Sequence, residues 1–281
     1  MFETGSDVLA WYEKQPRALN QKFVDQIPWN DISKYPLSQD FIPVLLYMRD
    51  VESFTEIYHD ELLRTPTGKD PVIRKFMERW SVEENQHAEL LNRFLNEAGF
   101  PTSNNWWNEA KAAIPRRYKF ENDVVMRITN CFGRYFSGAH MVWGAVNEMT
   151  TLQGYRRLWK LAGHPVLEQL LRGIAQEESL HSHFYWSIAR LKLKESKFSR
   201  GLARFVIDKF WTPVGQGAKP QGETNYLIST LFEGESGISA FNRNVGERMQ
   251  QLPGFAGLKT VSERVAAISL GGNAPRRLIS V

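Results

Sequence analysis

Helical periodicity dominates the pattern of hydrophobic positions, and no segment alternates apolar and polar residues as a half-buried strand does. Residues that cap or break helices divide the pattern into four long helical segments. These segments run from Ser38 to Arg64, from Asp70 to near Gly99, from about Asn122 to Leu161, and from Pro165 to about Lys194. A stretch rich in glycine and proline follows at 213–222, and two shorter helical patterns lie near 237–251 and 258–269.

Four long helices with an all-α remainder predict a helical bundle that is capped by additional C-terminal helices. No shift in composition marks a domain boundary, and no low-complexity tract is present. We therefore expect residues 1–281 to form a single domain. Its four-helix core is expected at about 38–195 and its C-terminal cap at about 196–281.

Cysteine usage and hydropathy narrow the class of protein. The single cysteine, Cys131, excludes a disulfide framework or a cysteine-rich metal site and is typical of a reducing cytoplasm. The longest apolar run, residues 41–48, is far shorter than the roughly 20 residues of a membrane-spanning helix. The first residues do not follow the plan of a signal peptide. We expect a cytoplasmic protein without a membrane span.

Basic charge is concentrated in one segment, although the formal net charge is only +4. The segment at 190–209 contains seven lysine and arginine residues. It is either a solvated helix face or a docking surface for an acidic protein partner. We expect no nucleic-acid partner, since binders of nucleic acid concentrate basic charge more strongly.

Glutamate and histidine occupy positions that should be buried in two of the predicted helices. In the second helix, the apolar stripe continues from Trp80 to Glu84 and His87. In the fourth helix, the stripe continues in the same way to Glu178 and His181. Residues three apart share one face of a helix, so each Glu-x-x-His pair can place both side chains on one ion.

The first and third helices each place a single glutamate on the corresponding face, Glu52 and Glu148. Four unpaired carboxylates in one core would cost several kcal/mol each, and a pair of divalent metals removes this cost. Two single glutamates and two Glu-x-x-His pairs are the ligand set of di-iron carboxylate bundles. Iron suits these ligands, and manganese is the main competitor.

By chance, a chain of this composition would contain roughly half a Glu-x-x-His pair. Chance is therefore a poor explanation of the two pairs on buried helix faces. Glu83 and Glu177 precede the two motif glutamates and are either exposed or support the metal-binding imidazoles. We favour the second interpretation and expect Glu177 to contact His87 and Glu83 to contact His181. The remaining histidines are expected to be structural: His59, His140, His164 and His183.

Three segments resemble a known family. Residues 80–91, which read WSVEENQHAELL, resemble the first metal motif of the soluble acyl-acyl-carrier-protein (acyl-ACP) desaturases. Residues 174–181, with Phe184 and Tyr185, resemble the second motif, particularly of bacterial members. Residues 147–151, which read NEMTT, are similar to the family's Gln-Glu-x-x-Thr segment. The similarity covers about 38–195 and is fainter at 252–258.

The resemblance implies a ferritin-like di-iron fold, usually as a homodimer, with six metal ligands at Glu52, Glu84, His87, Glu148, Glu178 and His181. It also implies that Thr151 places a hydroxyl near the oxygen-binding side of the two irons. The family reduces O2 with electrons from ferredoxin and removes two hydrogens from an acyl chain carried on acyl carrier protein. The resemblance thus implies an acyl-ACP desaturase of fatty acid biosynthesis.

The sequence departs from the family pattern in the first helix. Val51 stands where the family favours threonine, and Glu56 replaces the leucine of a Leu-Pro pair. Glu56 is therefore a second candidate for the ligand assigned to Glu52. Gln86 and Leu180 occupy positions at which plant members carry arginine. These departures put the substrate and the position of the reaction in question.

Three other functions stay open. One is a di-iron oxygenase that gives a hydroxylated or N-oxygenated product. A second is a bundle that only stores metal or binds lipid or protein. A radical-generating ribonucleotide reductase subunit fits less well, because it would carry tyrosine where Leu91 stands.

Candidate residues for a substrate pocket are Val51, Ser137 and Gly144. The last two share a helix line with Glu148, where small side chains leave room for an acyl chain or permit close helix packing. The resemblance suggests acyl carrier protein, which is acidic, as the partner of the basic segment at 190–209.

Overall fold

The structure, a computed structural model, describes residues 2–271, except for the side chains at 122, 123, 125 and 126. Within this range the regular structure is helical and contains no strand, which confirms the predicted all-α class. The helices are α1 (Gly5–Lys14), α2 (Gln21–Asp25), α3 (Ile42–Ser53), α4 (Thr55–Leu63), α5 (Pro71–Glu97), α6 (Trp106–Ala112), α7 (Arg116–Cys131), α8 (Phe136–Ala162), α9 (Pro165–Glu195), α10 (Lys197–Phe210), α11 (Gln221–Leu231), α12 (Gly234–Phe241), α13 (Glu247–Met249) and α14 (Thr260–Gly271).

Helices α3, α5, α8 and α9 form a four-helix core of the ferritin-like kind. Helix α8 packs most extensively against α9, and α3 packs against α5. Large apolar side chains fill the space between these pairs, among them Phe76, Phe94 and Phe184, and all three are fully buried. The four buried helix faces therefore converge on one interior, as the apolar stripes predict.

Local sequence explains the ends of α5. The Asp70 side chain accepts a hydrogen bond from the backbone N–H of Val72, and Pro71 occupies the first turn, where its missing N–H costs nothing. Just beyond the C-terminal end, Gly99 has a φ of +85°, a value that favours glycine. The predicted limits of this helix are confirmed.

A two-residue connection joins α8 to α9. Gly163 ends α8 with a φ of +60°, and the side chain of His164 accepts a hydrogen bond from the N–H of Leu167 at the start of α9. Pro165 then fixes the first turn of α9. This tight connection turns the chain back, so that α8 and α9 pack along their lengths.

Two of the predicted helices are interrupted. The segment at 38–64 contains a short 3-10 turn and then α3 and α4, which separate at Phe54. Phe54 is buried in a small apolar cluster away from the main core, with Ala110, Ile114 and Ala218. The third helix is interrupted after Cys131, where Gly133 has a φ of +55° and a 3-10 turn precedes α8.

Several short helices lack a clear signal in the sequence, namely α1, α2, α6, α10 and α11. Short helices are marginal in isolation and are stabilised by tertiary packing, which a local pattern does not report. Helix α1, for example, packs against α9 and α5 and buries Tyr12 completely. The basic segment at 190–209 proves to be the end of α9 together with α10.

The C-terminal helices pack over α8, α3 and one another. The helical pattern near 237–251 is present but includes a π-helical turn, Asn242–Gly246, between α12 and α13. The pattern near 258–269 corresponds to α14. The predicted cap extends to 281, and its last ten residues lie outside the described residues. No helix within 2–271 is long and apolar enough to cross a membrane.

Candidate metal centre

The four core helices bring six glutamate and histidine side chains to one buried place. Helix α3 contributes Glu52 and α8 contributes Glu148, while α5 and α9 each contribute a Glu-x-x-His pair. All six predicted ligand residues are at most 7% exposed. Spacing by three residues places both members of each pair on the inner face of its helix.

Two overlapping groups of four side chains could each hold one metal ion. The first contains Glu52, Glu84, His87 and Glu178, and the second contains Glu84, Glu148, Glu178 and His181. Within each group, one potential ligand atom per residue lies within 4.8 Å of the others. Because Glu84 and Glu178 belong to both groups, the arrangement fits two ions that share these two carboxylates.

Polar atoms without hydrogen-bond partners are concentrated in this cluster. They include Nδ1 of His87 and His181, Oε1 of Glu84, and both carboxylate oxygens of Glu178. The Nδ1 of His181 lies 2.8 Å from Oε1 of Glu84, yet the orientation does not make a hydrogen bond. Buried polar atoms are rarely left unpaired, and coordination to metal would satisfy all five. The donor set therefore fits a dinuclear metal centre.

The electrostatics of the cluster also favour a bound cation. Burial raises the pKa of Glu52 well above its ordinary value, and the nearby charge of Glu84 adds to the effect. Burial likewise raises the pKa of Glu148, as does the charge of Glu178. Carboxylates this close repel one another, so positive charge between them stabilises their ionised forms.

Each candidate imidazole ligand is held by a glutamate from the facing helix. Nε2 of His87 lies 3.0 Å from Oε2 of Glu177, and Nε2 of His181 lies 2.8 Å from Oε2 of Glu83. These are the two contacts expected from the sequence. They leave each Nδ1 facing the centre of the cluster, which is the arrangement that a metal-binding imidazole requires.

Protonation of the histidines follows from these contacts. Burial opposes a charged imidazole, but the hydrogen bond with Glu83 and the charge of Glu84 raise the pKa of His181 to about 10. Burial also opposes protonation of His87, and the hydrogen bond with Glu177 outweighs it and raises the pKa. A metal ion would take the place of these protons.

The N-terminal segment, together with Arg79 of α5, holds Glu83 and Glu177 in place. No pattern in the sequence predicted the contacts of the N-terminal segment. The Tyr12 hydroxyl donates to Oε2 of Glu83 at 2.7 Å, and Arg17 and Arg79 donate to Oε1 at 3.0 and 2.7 Å. The backbone N–H of Leu19 donates to Glu177 at 3.0 Å. Burial alone would raise the pKa of Glu83, but its hydrogen bonds, chiefly with His181, hold that pKa well below its usual range.

Two aromatic residues orient the single glutamates. The indole Nε1 of Trp80 donates to Oε1 of Glu148 at 3.0 Å, and the Tyr155 hydroxyl donates to Oε1 of Glu52. Trp80 was evident from the sequence as a member of an apolar stripe, whereas Tyr155 shares a helix line with Glu148 rather than with Glu52. Their polar ends give them a second role, because they fix which carboxylate oxygen faces the cluster.

A cavity of about 230 Å³ adjoins the cluster and is lined in part by Glu52, Glu84 and Glu148. Val51, Gly144 and Thr151 also line it, whereas Ser137 does not. Ser137 is buried and instead accepts a hydrogen bond from the hydroxyl of Thr67 at 3.2 Å.

Gly144 lies against an aromatic ring at the cavity wall. A Cβ atom at this position would come within 2.3 Å of the ring of Tyr185. The missing side chain therefore permits close packing between α8 and α9 as well as access to the cavity. Close helix packing therefore applies to Gly144, and room for an acyl chain at this position stays a prediction.

The loop at 212–216 closes one side of the cavity. It contacts α3 through the Tyr47 hydroxyl, which donates to the carbonyl oxygen of Val214 at 2.8 Å. Gly215 has a φ of +83°, and a Cβ here would lie 2.6 Å from Val51. The sequence marked this stretch as a loop but did not place it at the site.

Comparison with known proteins agrees with the geometry. The sequence pattern of a family described as fatty acid desaturase matches residues 53–213, more than half of the chain. The chain belongs to the fatty acid desaturase family. Among curated proteins, it is similar to one provisionally named acyl-[acyl-carrier-protein] desaturase DesA1, from two strains of Mycobacterium tuberculosis. Identity is 25% over 186 residues, which is 59% of this chain and 51% of the relative. The chain spans about half the length of the curated relatives it matches.

The region matched to the desaturase family includes five of the six candidate ligands and begins one residue after Glu52. The structure distinguishes Glu52 from its rival Glu56. The Glu56 side chain is exposed and pairs with Lys111 on the surface, whereas Glu52 is 5% exposed and belongs to the metal cluster. Position in the fold thus supports Glu52 as the candidate ligand from this helix.

The remaining histidines of this desaturase-family chain lie outside the metal cluster. His164 caps α9, and His59 lies 3.8 Å from the carboxylate of its neighbour Asp60. His183 packs against the ring of Trp11, with its ring centroid 4.5 Å away. His140 lines the cavity, and its Nδ1 lies 2.7 Å from the hydroxyl oxygen of Thr67. Burial lowers the pKa of His140 to about 4, so the imidazole is neutral.

Proposed function

We propose that this protein is an O2-dependent di-iron desaturase that introduces a double bond into a fatty acyl chain carried on acyl carrier protein. The observation that carries this proposal is the pair of overlapping four-residue clusters beside a cavity. Membership of the fatty acid desaturase family supports the reaction class. The printed name of the M. tuberculosis relatives supports an acyl-ACP substrate.

Two metal ions would be held by the six residues of the cluster, with Glu84 and Glu178 shared. Iron would supply the redox chemistry needed to use O2, and manganese is the competing metal for these ligands. Glu83 and Glu177 would keep the imidazole rings of His181 and His87 oriented toward the ions. Tyr155 and Trp80 would hold the outer carboxylates in place.

The cavity would hold the acyl chain next to the cluster. Its lining combines apolar side chains, such as Met77, Met141 and Val214, with the carboxylates of the cluster. Such a wall excludes water and limits the chain to few orientations, so that a defined pair of methylene groups faces the metals.

Thr151 is the candidate for handling protons at this wall. Its side chain lines the cavity, and the hydroxyl has no hydrogen-bond partner in residues 2–271. A free hydroxyl at this point can donate to or accept from a polar group that enters the cavity. We infer that Thr151 holds or passes a proton there during turnover.

A di-iron oxygenase is the second candidate function. The cavity wall includes polar groups that an alkyl chain does not need, among them Asn147, His140 and the tyrosines Tyr58 and Tyr118. Such groups would suit a substrate with polar atoms close to the metals. The two functions differ in product, since an oxygenase adds an oxygen atom where a desaturase removes two hydrogens.

A test of both functions is the mass of the acyl chain after a single turnover. The chemically reduced, iron-loaded protein is mixed with C16 and C18 acyl-ACP and O2, and Glu178→Ala is the inactive control. Loss of two hydrogens supports the desaturase, and gain of one oxygen supports the oxygenase. Unchanged substrate, with two irons per chain confirmed, would contradict activity on these substrates. Less than about one iron or manganese per chain after loading would favour a non-catalytic bundle.

The dock for acyl carrier protein is proposed at the junction of α9 and α10. Three of the seven basic side chains of this segment already have polar partners. Lys192 pairs with Asp70, Lys209 pairs with Asp208, and Arg204 donates to two backbone carbonyls. Lys194 and Lys197 are exposed and have no such partner in the part of the chain that the structure describes.

Charge reversal tests this dock. The double variant Lys194→Glu/Lys197→Glu should raise the apparent KM for acyl-ACP with little change in kcat, because encounter depends on charge complementarity. Lys160→Glu is the matched control, since Lys160 is exposed near the other end of the α8–α9 pair. An equal rise in both variants would place the dock elsewhere. From the family resemblance we further infer a homodimer, which sedimentation tests, and a ferredoxin-type reductant. From the single cysteine we infer a cytoplasmic location.

A further inference from the structure

A second cavity of about 330 Å³ lies between α1, α8, α9 and the π-helical turn near the C-terminal end of the described chain. It shares no lining residue with the cavity at the metal cluster. On α8 the second cavity is lined by residues such as Gln153 and Arg156, whereas Glu148 and Thr151 line the first. The two cavities therefore use different faces of the same helix, and the proposed desaturation does not involve the second.

Positive charge lines this second cavity without a carboxylate to balance it. Arg156 and Arg248 both belong to the lining, together with His183. Neither arginine makes an ion pair or a hydrogen bond within residues 2–271. Burial lowers the pKa of Arg156, and the charge of Arg248 lowers it further. The two guanidinium groups line the same cavity, so their like charges repel one another.

Neutral hydrogen-bonding groups complete the lining. The side chain of Gln153 is in a residue only 6% exposed, yet its amide has no hydrogen-bond partner within the described chain. The amide is therefore free to form a hydrogen bond with a ligand in the cavity. Ser179 and Asn244 add a hydroxyl and an amide to the same lining.

The wall that carries Arg248 is a closely packed structure. The turn Asn242–Gly246 is π-helical, and a Cβ at Gly246 would come within 2.2 Å of the hydroxyl oxygen of Ser262. Turns of this kind are frequent at functional sites. The guanidinium of Arg248 also lies 5.7 Å from the ring centroid of Trp186 on α9. Arg248 lies on α13 directly after this turn, and its contact with Trp186 places it at the wall of the cavity.

We propose that this cavity binds an oxyanion, the phosphate or carboxylate group of a small molecule, between Arg156 and Arg248. The planar guanidinium fork matches the oxygens of either group and forms charge-assisted hydrogen bonds with them. Gln153 supplies a neutral hydrogen bond. The anion also offsets the repulsion between the two arginines.

Calorimetric titration of the metal-loaded protein with inorganic phosphate or with citrate tests the site, at constant ionic strength set with chloride. We expect saturable binding of at least one probe and a matching rise in Tm. Arg156→Gln should weaken binding about tenfold or more, because it removes a charge-assisted contact. If phosphate binds and citrate does not, the natural ligand carries a phosphate group. If citrate binds and phosphate does not, the ligand carries a carboxylate group.

Arg243→Gln is the matched control. Arg243 lies in the same π-helical turn, is exposed and does not line the cavity. The affinity of this variant for the probe should be within about twofold of that of the unchanged protein, since only a screened long-range charge is lost. In chloride, the Tm of Arg156→Gln should equal or exceed that of the unchanged protein, which separates lost binding from poor folding.

Two results would overturn the site. The first is the absence of saturable binding of both probes. The second is an equal loss of affinity in Arg156→Gln and Arg243→Gln, which would show a general effect of charge.

Discussion

Replacement of Glu83 by glutamine should destabilise the fold and weaken metal binding together. The carboxylate is 1% exposed and accepts four hydrogen bonds. Oε1 accepts from Arg17 and Arg79, while Oε2 accepts from Tyr12 and lies 2.8 Å from Nε2 of His181. Glu83 thus links the N-terminal segment to His181, as Glu177 links the N–H of Leu19 to His87.

The size of the effect follows from this geometry. An amide has one oxygen, so one end of the substituted side chain must present an N–H group to two donors. If the oxygen keeps the arginine contacts, the buried bonds to Tyr12 and His181 are lost. Hydrogen bonds to charged groups contribute about 1.5–3 kcal/mol each, so the loss is about 3 kcal/mol or more. Loss of a carboxylate that orients a metal-binding histidine typically weakens metal binding about 10–100-fold.

Urea unfolding of the metal-free protein measures the first effect, and competition with a chelator measures the second. Glu89→Gln is the matched control, because Glu89 lies on the same helix and is exposed. Glu177→Gln should also weaken metal binding, because Glu177 orients the imidazole of His87. The reasoning would be refuted if the free energy of unfolding of Glu83→Gln lay within about 1 kcal/mol of that of the unchanged protein. It would also be refuted if Glu83→Gln and Glu177→Gln both kept full iron content and turnover.

Three further predictions follow from the cluster and the cavity. Glu178→Ala should abolish binding of both ions, since Glu178 belongs to both groups, whereas Glu148→Ala should leave one ion per chain by elemental analysis. The pKa of His140 is lowered to about 4, so its neutral form stabilises the fold above pH 6.5 and this contribution is lost as the pH falls from 6.5 toward 4. The stability difference between the unchanged protein and His140→Gln in urea should therefore shrink over that range, and a constant difference would contradict the assignment. Gly144→Ala should lower the free energy of unfolding by about 1–3 kcal/mol, because the added methyl group overpacks against Tyr185. In a double-mutant cycle, Tyr185→Leu in the same chain should restore much of that stability.

Local sequence was enough to predict the helices that carry the site. Asp70 with Pro71, and Gly163 with Pro165, set helix ends through contacts within a few residues. The Glu-x-x-His pairs were equally visible, because a spacing of three places both side chains on one helix face in any fold. Two such pairs on apolar stripes predicted which faces meet. The mutual pairing of the supporting glutamates and the histidines follows from the same argument.

Only the tertiary structure could choose between Glu52 and Glu56, which are one helical turn apart. The interruption at Phe54 turns Glu56 to the surface and leaves Glu52 in the core. The contact of Tyr12 with Glu83 spans 71 positions, and that of Leu19 with Glu177 spans 158. The loop at 212–216 is likewise remote in sequence from the rest of the cavity wall, and the arginines of α8 and α13 that line the second cavity are remote from each other. Such contacts depend on how the whole chain packs, because no local propensity specifies a partner so far along the chain.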